Sequence, residues 1–304
     1  MTLPPRLFDR DLLRKRLDRA ARGFDGADFL KARAAQDLVD RLEPILREFP
    51  VAVDLSARTG AFARAIESSP ARERIGLLIE SDLSEAMLRG RRGPRLVLDE
   101  ERLPFAPGSL DLVVSTLGLH WTNDVVGALI QARMALKPDG LFIGAFLGGA
   151  TLTELRQSLL AAEAELTGGA GQRVSPFADP YDAAGLLQRA GFALPVADVD
   201  RVVVRYAHPL RLLADLRQMG ETNVLAERHP RALTRAVLSR ATQVYAERFG
   251  NGDGRVPATF EIITLTGWAP HEGQQKPLAP GSAKMRLADA LGTTEVKVPR
   301  GDAT

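Results

Sequence analysis

Cysteine is absent from the 304 residues. That excludes disulfides, thiolate nucleophiles and cysteine-ligated metals, and it accords with a reducing compartment. Histidine is scarce: His120, His208, His229 and His271 are the only four. None stands in an H-x-D/E or H-x-x-x-H spacing, so no zinc or non-haem iron site is visible and no metal is expected. No apolar run approaches the length of a membrane span. The N-terminal stretch mixes Asp9, Asp11 and Asp18 with its arginines and lacks the apolar core of a secretory signal. Neither sign of charge dominates, with 40 Lys and Arg against 38 Asp and Glu. The clusters Arg10, Arg14, Arg16 and Arg89-Gly-Arg-Arg92 lack interleaved aromatics and read as solvated faces, so no nucleic-acid partner is indicated. The expectation is a soluble, cytoplasmic protein for which a weak peripheral contact with a membrane is compatible.

What is present is a regular alternation of short apolar runs and helical patterns. An arginine-rich segment with Leu12, Leu13 and Leu17 at helical spacing opens the chain (1–24) and reads as an amphipathic helix, either packed on the domain or forming a lid. A second helix covers 28–47. Val51–Leu55, Ile75–Glu80, Arg95–Leu98, Leu110–Ser115 and Leu141–Phe146 read as strands. Helices follow at Ala61–Glu67, after Ser84 as N-cap, and over 123–136, while 137–140 reads as a turn. Strands this short and apolar, separated by helices, predict a parallel sheet covered on both faces, a doubly wound α/β fold.

The second half reads differently. Thr151-Leu-Thr-Glu154 fits a capping box ahead of a helix to about residue 166, and a helix over 182–190 stops at Gly191. Two later strands are expected near 196–206 and 258–268. The helical segment between them (207–256) is too long for a hairpin loop and forms a cap. The main domain then spans 25–273, and 274–304, rich in Pro, Gly and charge without period, reads as a disordered tail.

Candidate chemistry gathers at the strand ends. Val53 leads into Asp54-Leu-Ser56-Ala-Arg58-Thr-Gly60, a strand-to-helix turn of the kind that holds nucleotide-type ligands. It matches neither G-x-G-x-x-G nor the phosphate-loop pattern. An acid before the turn repels phosphate and suits an ammonium. The next strand ends at Asp82-Leu83, where an acid can accept ribose hydroxyls, and the third at Asp99-Glu100, placed to accept from an adenine amino group. Three acidic strand ends in order favour a cationic adenosyl ligand without phosphates, S-adenosyl-L-methionine. Singly, each acid is as readily a turn former or a helix cap. The fourth strand runs through Ser115 and Leu117 to His120 and Trp121, at the crevice where a sheet order reverses. There His120 could act as a general base and Trp121 could wall the ligand. Packing under the next helix, with Asn123 or Asp124 as its N-cap, explains the pair equally well.

Asp82-Leu-Ser-Glu-Ala-Met-Leu88, Asp99-Glu-Glu-Arg-Leu-Pro-Phe105 and Leu136-Lys-Pro-Asp-Gly-Leu141 resemble the class I S-adenosylmethionine-dependent methyltransferases. Leu7-Phe-Asp-Arg-Asp-Leu12, Leu119-His-Trp-Thr-Asn-Asp124, Gly144-Ala-Phe-Leu-Gly-Gly149, Leu216-Arg-Gln-Met-Gly-Glu-Thr-Asn223 and Val256-Pro-Ala-Thr-Phe260 resemble, more specifically, the mitochondrial respiratory complex I assembly factor 5 family and its bacterial relatives. The likeness runs over about 6–276. It implies a Rossmann-like seven-stranded sheet of order 3-2-1-4-5-7-6 with strand 7 antiparallel, and a protein substrate, a respiratory complex I subunit hydroxylated on arginine. It also implies cofactor-loop roles for Asp54, Ser56 and Gly60, ribose roles for Asp82 and Leu83, adenine roles for Asp99 and Glu100, and wall roles for Ser115 and Leu117. The family loop reads Asp-Leu-Gly-Cys-Gly-x-Gly, and Ser56, Ala57 and Arg58 replace its central Gly-Cys-Gly. The malonyl-carrier-protein methyltransferases are a more distant similarity. Three readings stand: an enzyme modifying a protein side chain by methylation or arginine hydroxylation, a non-catalytic assembly factor with an altered loop, and a methyltransferase acting on a small molecule or carrier protein. The oligomeric state is left open.

Overall fold

The structure is a computed structural model that describes residues 6–229, 232–275, 282 and 285–294. It divides into two units, Met1–Pro270 and His271–Thr304. The first contains the sheet and everything that concerns the site. In the second, the described residues include one short helix, Leu287–Ala290. The disordered tail expected over 274–304 falls largely outside the described residues.

In chain order the elements are α1 (Arg10–Ala20), α2 (Phe29–Leu42), β1 (Phe49–Leu55), α3 (Ala61–Glu67), β2 (Ile75–Asp82), α4 (Glu85–Leu88), β3 (Arg95–Val97) and β4 (Leu110–Thr116). There follow α5 (Val125–Ala135), β5 (Leu136–Leu147), α6 (Thr153–Thr167), α7 (Pro180–Arg189), β6 (Ala193–Tyr206), α8 (Pro209–Gln218), α9 (Arg235–Phe249) and β7 (Val256–Trp268). The strands form one sheet of order β3-β2-β1-β4-β5-β7-β6. Pairing is parallel from β3 to β5, and β7 runs antiparallel to both its neighbours. This is the Rossmann-like methyltransferase topology expected from the sequence.

Every residue of β4 is buried, which a central parallel strand covered on both faces requires. One face packs on α2, α3, α6, α8 and α9 through residues such as Leu38, Phe62, Leu159 and Tyr245. The other packs on α5 and α7 through Leu129, Leu187 and Phe142. A third apolar cluster joins Leu13 and Leu17 of α1 to Met87 of α4 and to Trp121. Sheet order reverses between β1 and β4, so the crevice opens at their carboxyl ends.

Two local expectations need correcting. Thr151 does not cap α6: the residue before that helix is Leu152, left-handed at φ 55°. Thr151 instead bonds across to β7, its Oγ1 accepting from Glu261 N at 3.1 Å, while Glu154 Oε2 accepts from Thr259 N at 3.1 Å. These residues serve the first part of β7, which extends beyond its pairing with β5 and leaves backbone groups free on that side. Residues 137–140 form no separate turn but lie inside β5, whose pairing with β4 shifts register between Leu110 and Leu112.

Candidate functional site

The turn after β1 follows the path of a glycine loop without its glycines. Ser56 and Arg58 are both left-handed, at φ 60° and 52°, as is Gly60 at 83°. A side chain in that region costs about 1–2 kcal/mol per residue. Backbone bonds hold the path: Ala57 N donates to Ser81 O at 2.7 Å and Gly60 N to Ala57 O at 2.9 Å. Gly60 then serves as the residue before α3. Across the crevice Leu117 is also left-handed, at φ 48°, with its N–H on Ala145 O at 2.8 Å. Gly118 faces the turn so closely that a Cβ there would run into the Ser56 hydroxyl.

Asp54, Asp82 and Glu100 are buried and Asp99 is partly exposed, and two of the three strand ends hold arginine. Asp82 Oδ2 accepts from Arg58 N at 2.9 Å and from Arg58 Nη1 at 2.6 Å; its Oδ1 accepts from Ser84 N at 2.8 Å. Leu83, next along, is half-buried against the α1 cluster. Arg10 of α1 donates to Asp99 Oδ1 at 2.6 Å, to Glu100 and to Trp121 O at 3.2 Å. Ser56 Oγ also donates to Glu100. Burial would raise Glu100, but Arg10 and Arg58 outweigh it and hold the carboxyl below its usual range. Arg10 is therefore no solvated face. It is buried because α1 lies against the ends of β2 and β3, where two carboxylates await a cation.

Asp54 is the exception. It is fully buried, and neither carboxyl oxygen has a hydrogen-bond partner among the described residues. Burial, opposed by Lys31, pushes it up to about 8. Lys31 of α2 is pushed down to about 7 by burial and then by Arg58, and its Nζ donates to Ser56 O at 2.7 Å and to Thr116 O. This lysine ties the β1 and β4 ends together across the crevice. Ser115 is buried with an unpartnered hydroxyl.

His120 and Trp121 occupy a short 3-10 turn, Leu119–Trp121. Both converge on one carboxylate: His120 Nε2 lies 3.1 Å from Glu221 Oε2, and Trp121 Nε1 donates to the same oxygen at 2.9 Å. His120 Nδ1 is buried without a partner. Phe8 packs edge-on against Trp121 with ring centroids 5.3 Å apart, and Asp124 caps α5. A cavity of about 600 Å³ lies beyond, walled by Lys31, Arg58, Leu117, Trp121 and Glu221 and continued by leucines of α6 and α8. Of the catalytic and cofactor-binding candidates read from the sequence, only Leu117 and Trp121 line it. Asp54, Asp82, Asp99 and Glu100 do not line it. Among the described residues no group of three or more His, Asp or Glu is placed to hold a metal ion.

Sequence reading missed Lys31, Glu221 and the burial of Arg10. The one available signal was the motif around Met219-Gly-Glu221, singled out as distinctive without a role.

A family model described as a methyltransferase domain matches residues 53–144. Arginine-hydroxylase NDUFAF5, mitochondrial, of Homo sapiens is 40% identical over 302 residues, covering 97% of this chain and 86% of that protein. The Danio rerio protein of the same name is 39% identical, covering 93% and 89%. The chain belongs to this NDUFAF5 family. Similarity to a malonyl-[acyl-carrier protein] O-methyltransferase of Laribacter hongkongensis is lower, 34% over 90% of this chain and 94% of that one. Among solved structures, the YcgJ protein of Bacillus subtilis superposes with a TM-score of 0.52 at 15% identity, over 79% of this chain and 99% of that one. A Haemonchus contortus phosphoethanolamine N-methyltransferase in complex with S-adenosylhomocysteine does so at 0.50 and 17%, over 85% and 60%. These superpositions carry the fold of class I methyltransferases. The NDUFAF5 relatives are named mitochondrial, which overturns the cytoplasmic location expected from the sequence. Composition carries no address, and lack of a secretory pattern does not choose among compartments. No helix among the described residues is long and apolar enough to cross a membrane.

The fold implies S-adenosylmethionine, and the acceptors of the crevice suit it in kind. The carboxylates at the ends of β2 and β3 already hold cations and hydrogen-bond donors, the interactions that a cationic nucleoside with ribose hydroxyls and an amino group would use.

Proposed function

We propose that this chain is an S-adenosylmethionine-binding enzyme of methyltransferase fold that modifies a protein side chain, an arginine of a respiratory complex I subunit, during assembly of that complex. The observation that carries this reading is the likeness to arginine-hydroxylases NDUFAF5 over 93–97% of the chain, which includes the α8–α9 cap that roofs the cavity. In this reading Asp82 and Leu83 hold the ribose, and Asp99 and Glu100 hold the adenine. Asp54, Ser56 and Gly60 form the loop under the methionine portion, and Ser115 and Leu117 form the facing wall. When bound, the cofactor supplies an electrophilic methyl group on sulfonium. Trp121 shields the reacting centre from water, and Glu221 fixes the Trp121 and His120 rings. His120, with Nδ1 unpartnered, is the group positioned to hold a proton. The N-terminal helix α1 acts as a lid.

Mass spectrometry of complex I subunits from a deletion strain tests this. An arginine lacking one oxygen or one methyl group, restored by the wild-type gene, is the expected result. Unchanged subunits would remove the proposed substrate.

A second reading draws on the cavity itself. Its leucine-rich body carries Arg16, Arg173 and Arg228 at its walls, a combination suited to a carboxylated acyl chain on a carrier protein. That substrate corresponds to the more distant likeness.

A further inference from the structure

The cavity offers open volume, yet the carboxylates that would recognise a nucleoside are not on its wall. They are in use. Asp82 receives three hydrogen bonds, two of them from Arg58. Glu100 receives Arg10 and Ser56. Asp99 Oδ1 receives Arg10 at 2.6 Å and Glu101 N at 2.9 Å. Asp82 Oδ2 and Asp99 Oδ1 each accept two hydrogen bonds, which fills the in-plane lone pairs of those oxygens. Each Glu100 oxygen already accepts one, so neither strand end can offer a bidentate grip to a ribose or an adenine amine.

We infer that Arg10 and Arg58 are the chain's own occupants of the nucleoside carboxylates and set the affinity of the crevice, an adenosyl ligand entering only by exchange with them. This rests on the adenosyl reading of the crevice given above. The two arginines differ in how they can leave. Arg58 belongs to the β1 turn, and its backbone N–H is itself one of the bonds to Asp82, so only its side chain can swing away. Arg10 rides on α1, which is fastened at its start by Asp9 N on Val224 O at 2.8 Å and Ala226 N on Leu7 O at 2.9 Å. Asn123 adds a clasp, accepting from Phe8 N at 2.7 Å. Exchange at Asp99 and Glu100 therefore pulls on α1 and on the Phe8–Trp121 contact that borders the cavity. Ligand binding and release of the N-terminal helix become one equilibrium. A site whose competent form is a minor population loses affinity in proportion to that fraction.

Calorimetric titration of the full-length protein with S-adenosylhomocysteine tests the exchange in wild type, Arg10→Met and Arg58→Gly. Arg10→Met serves if Arg58→Gly fails to fold, because Asp99 is partly exposed and Glu100 keeps its Ser56 hydroxyl. The expected result is binding at least about tenfold tighter in each folded variant than in wild type, as removal of a self-occupied state demands. In the Arg58→Gly protein, saturating S-adenosylhomocysteine should also speed amide hydrogen exchange over 9–20, because Arg10 must still leave. Equal affinity in wild type and folded variants, or slower exchange in α1 on binding, overturns the inference. Absence of binding in all three proteins removes it together with the adenosyl reading. The protein-modification reading would then stand or fall separately, on the mass spectrometry of complex I.

Discussion

Arg58 Nη1 lies 2.6 Å from Asp82 Oδ2, and both side chains are withdrawn from solvent, at 3% and 0% exposure. The pair joins the turn after β1 to the end of β2, and it forms although Arg58 must adopt φ 52° to make it. Electrostatics has outweighed backbone preference at this position.

Removing the cation should therefore cost more than removing the strain returns. Arg58→Ala leaves Asp82 buried and short of a partner, a loss of about 3–5 kcal/mol in unfolding free energy. Arg58→Gly should recover about 1 kcal/mol of that, because glycine takes the left-handed conformation freely. Urea unfolding of the three proteins gives the comparison. An alanine variant as stable as wild type would mean that the pair does not hold the turn.

Gly118 and Ser56 should behave as a coupled pair. A methyl group on Gly118 meets the Ser56 hydroxyl, so Gly118→Ala is expected to cost about 1–3 kcal/mol through overpacking. With Ser56→Gly in the background the obstacle is gone, and the second substitution should cost less by about 1 kcal/mol or more. A double-mutant cycle in urea measures the difference, and strict additivity would refute the contact.

Asp54 and Lys31 should impress a minimum on the pH dependence of stability. Asp54 keeps its proton to about 8 when folded against an ordinary value of 3.8. The folded state thus binds more protons than the unfolded one across that interval, and stability falls as pH rises through it. Lys31 loses its proton near 7 when folded against an ordinary 10.5. Here the unfolded state binds more, and stability climbs above about pH 7. Asp54→Asn should flatten the falling limb and leave the rise. Denaturation curves across that range decide it, and a falling limb untouched by the substitution would show that Asp54 is not its source.

The first half of the sheet was legible because β1 to β4 are short runs, and those of β1, β2 and β3 lead into Asp54, Asp82 and Asp99, the pattern of a parallel sheet. The site was legible only where chemistry and strand ends coincide. Helical periodicity registers Leu13 and Leu17 but gives a buried Arg10 the same signature as an exposed one, because its burial depends on Asp99 and Glu100, 89 and 90 residues away. Lys31 reaches a carbonyl 25 residues along the chain, and Glu221 a histidine 101 residues back. Such pairings arise from topology. Thr151 was misread for the same reason: its local pattern is that of a cap, and β7 offered it other partners.

The turn between β1 and α3 separates shape from composition. Ser56 and Arg58 trace a route ordinarily reserved for glycine, secured by Ala57 on Ser81 and Gly60 on Ala57. The scaffold of a ligand loop can thus outlast the residues that made it a good one. What such a turn presents to the crevice can therefore change side chain by side chain while β1 and α3 keep their places.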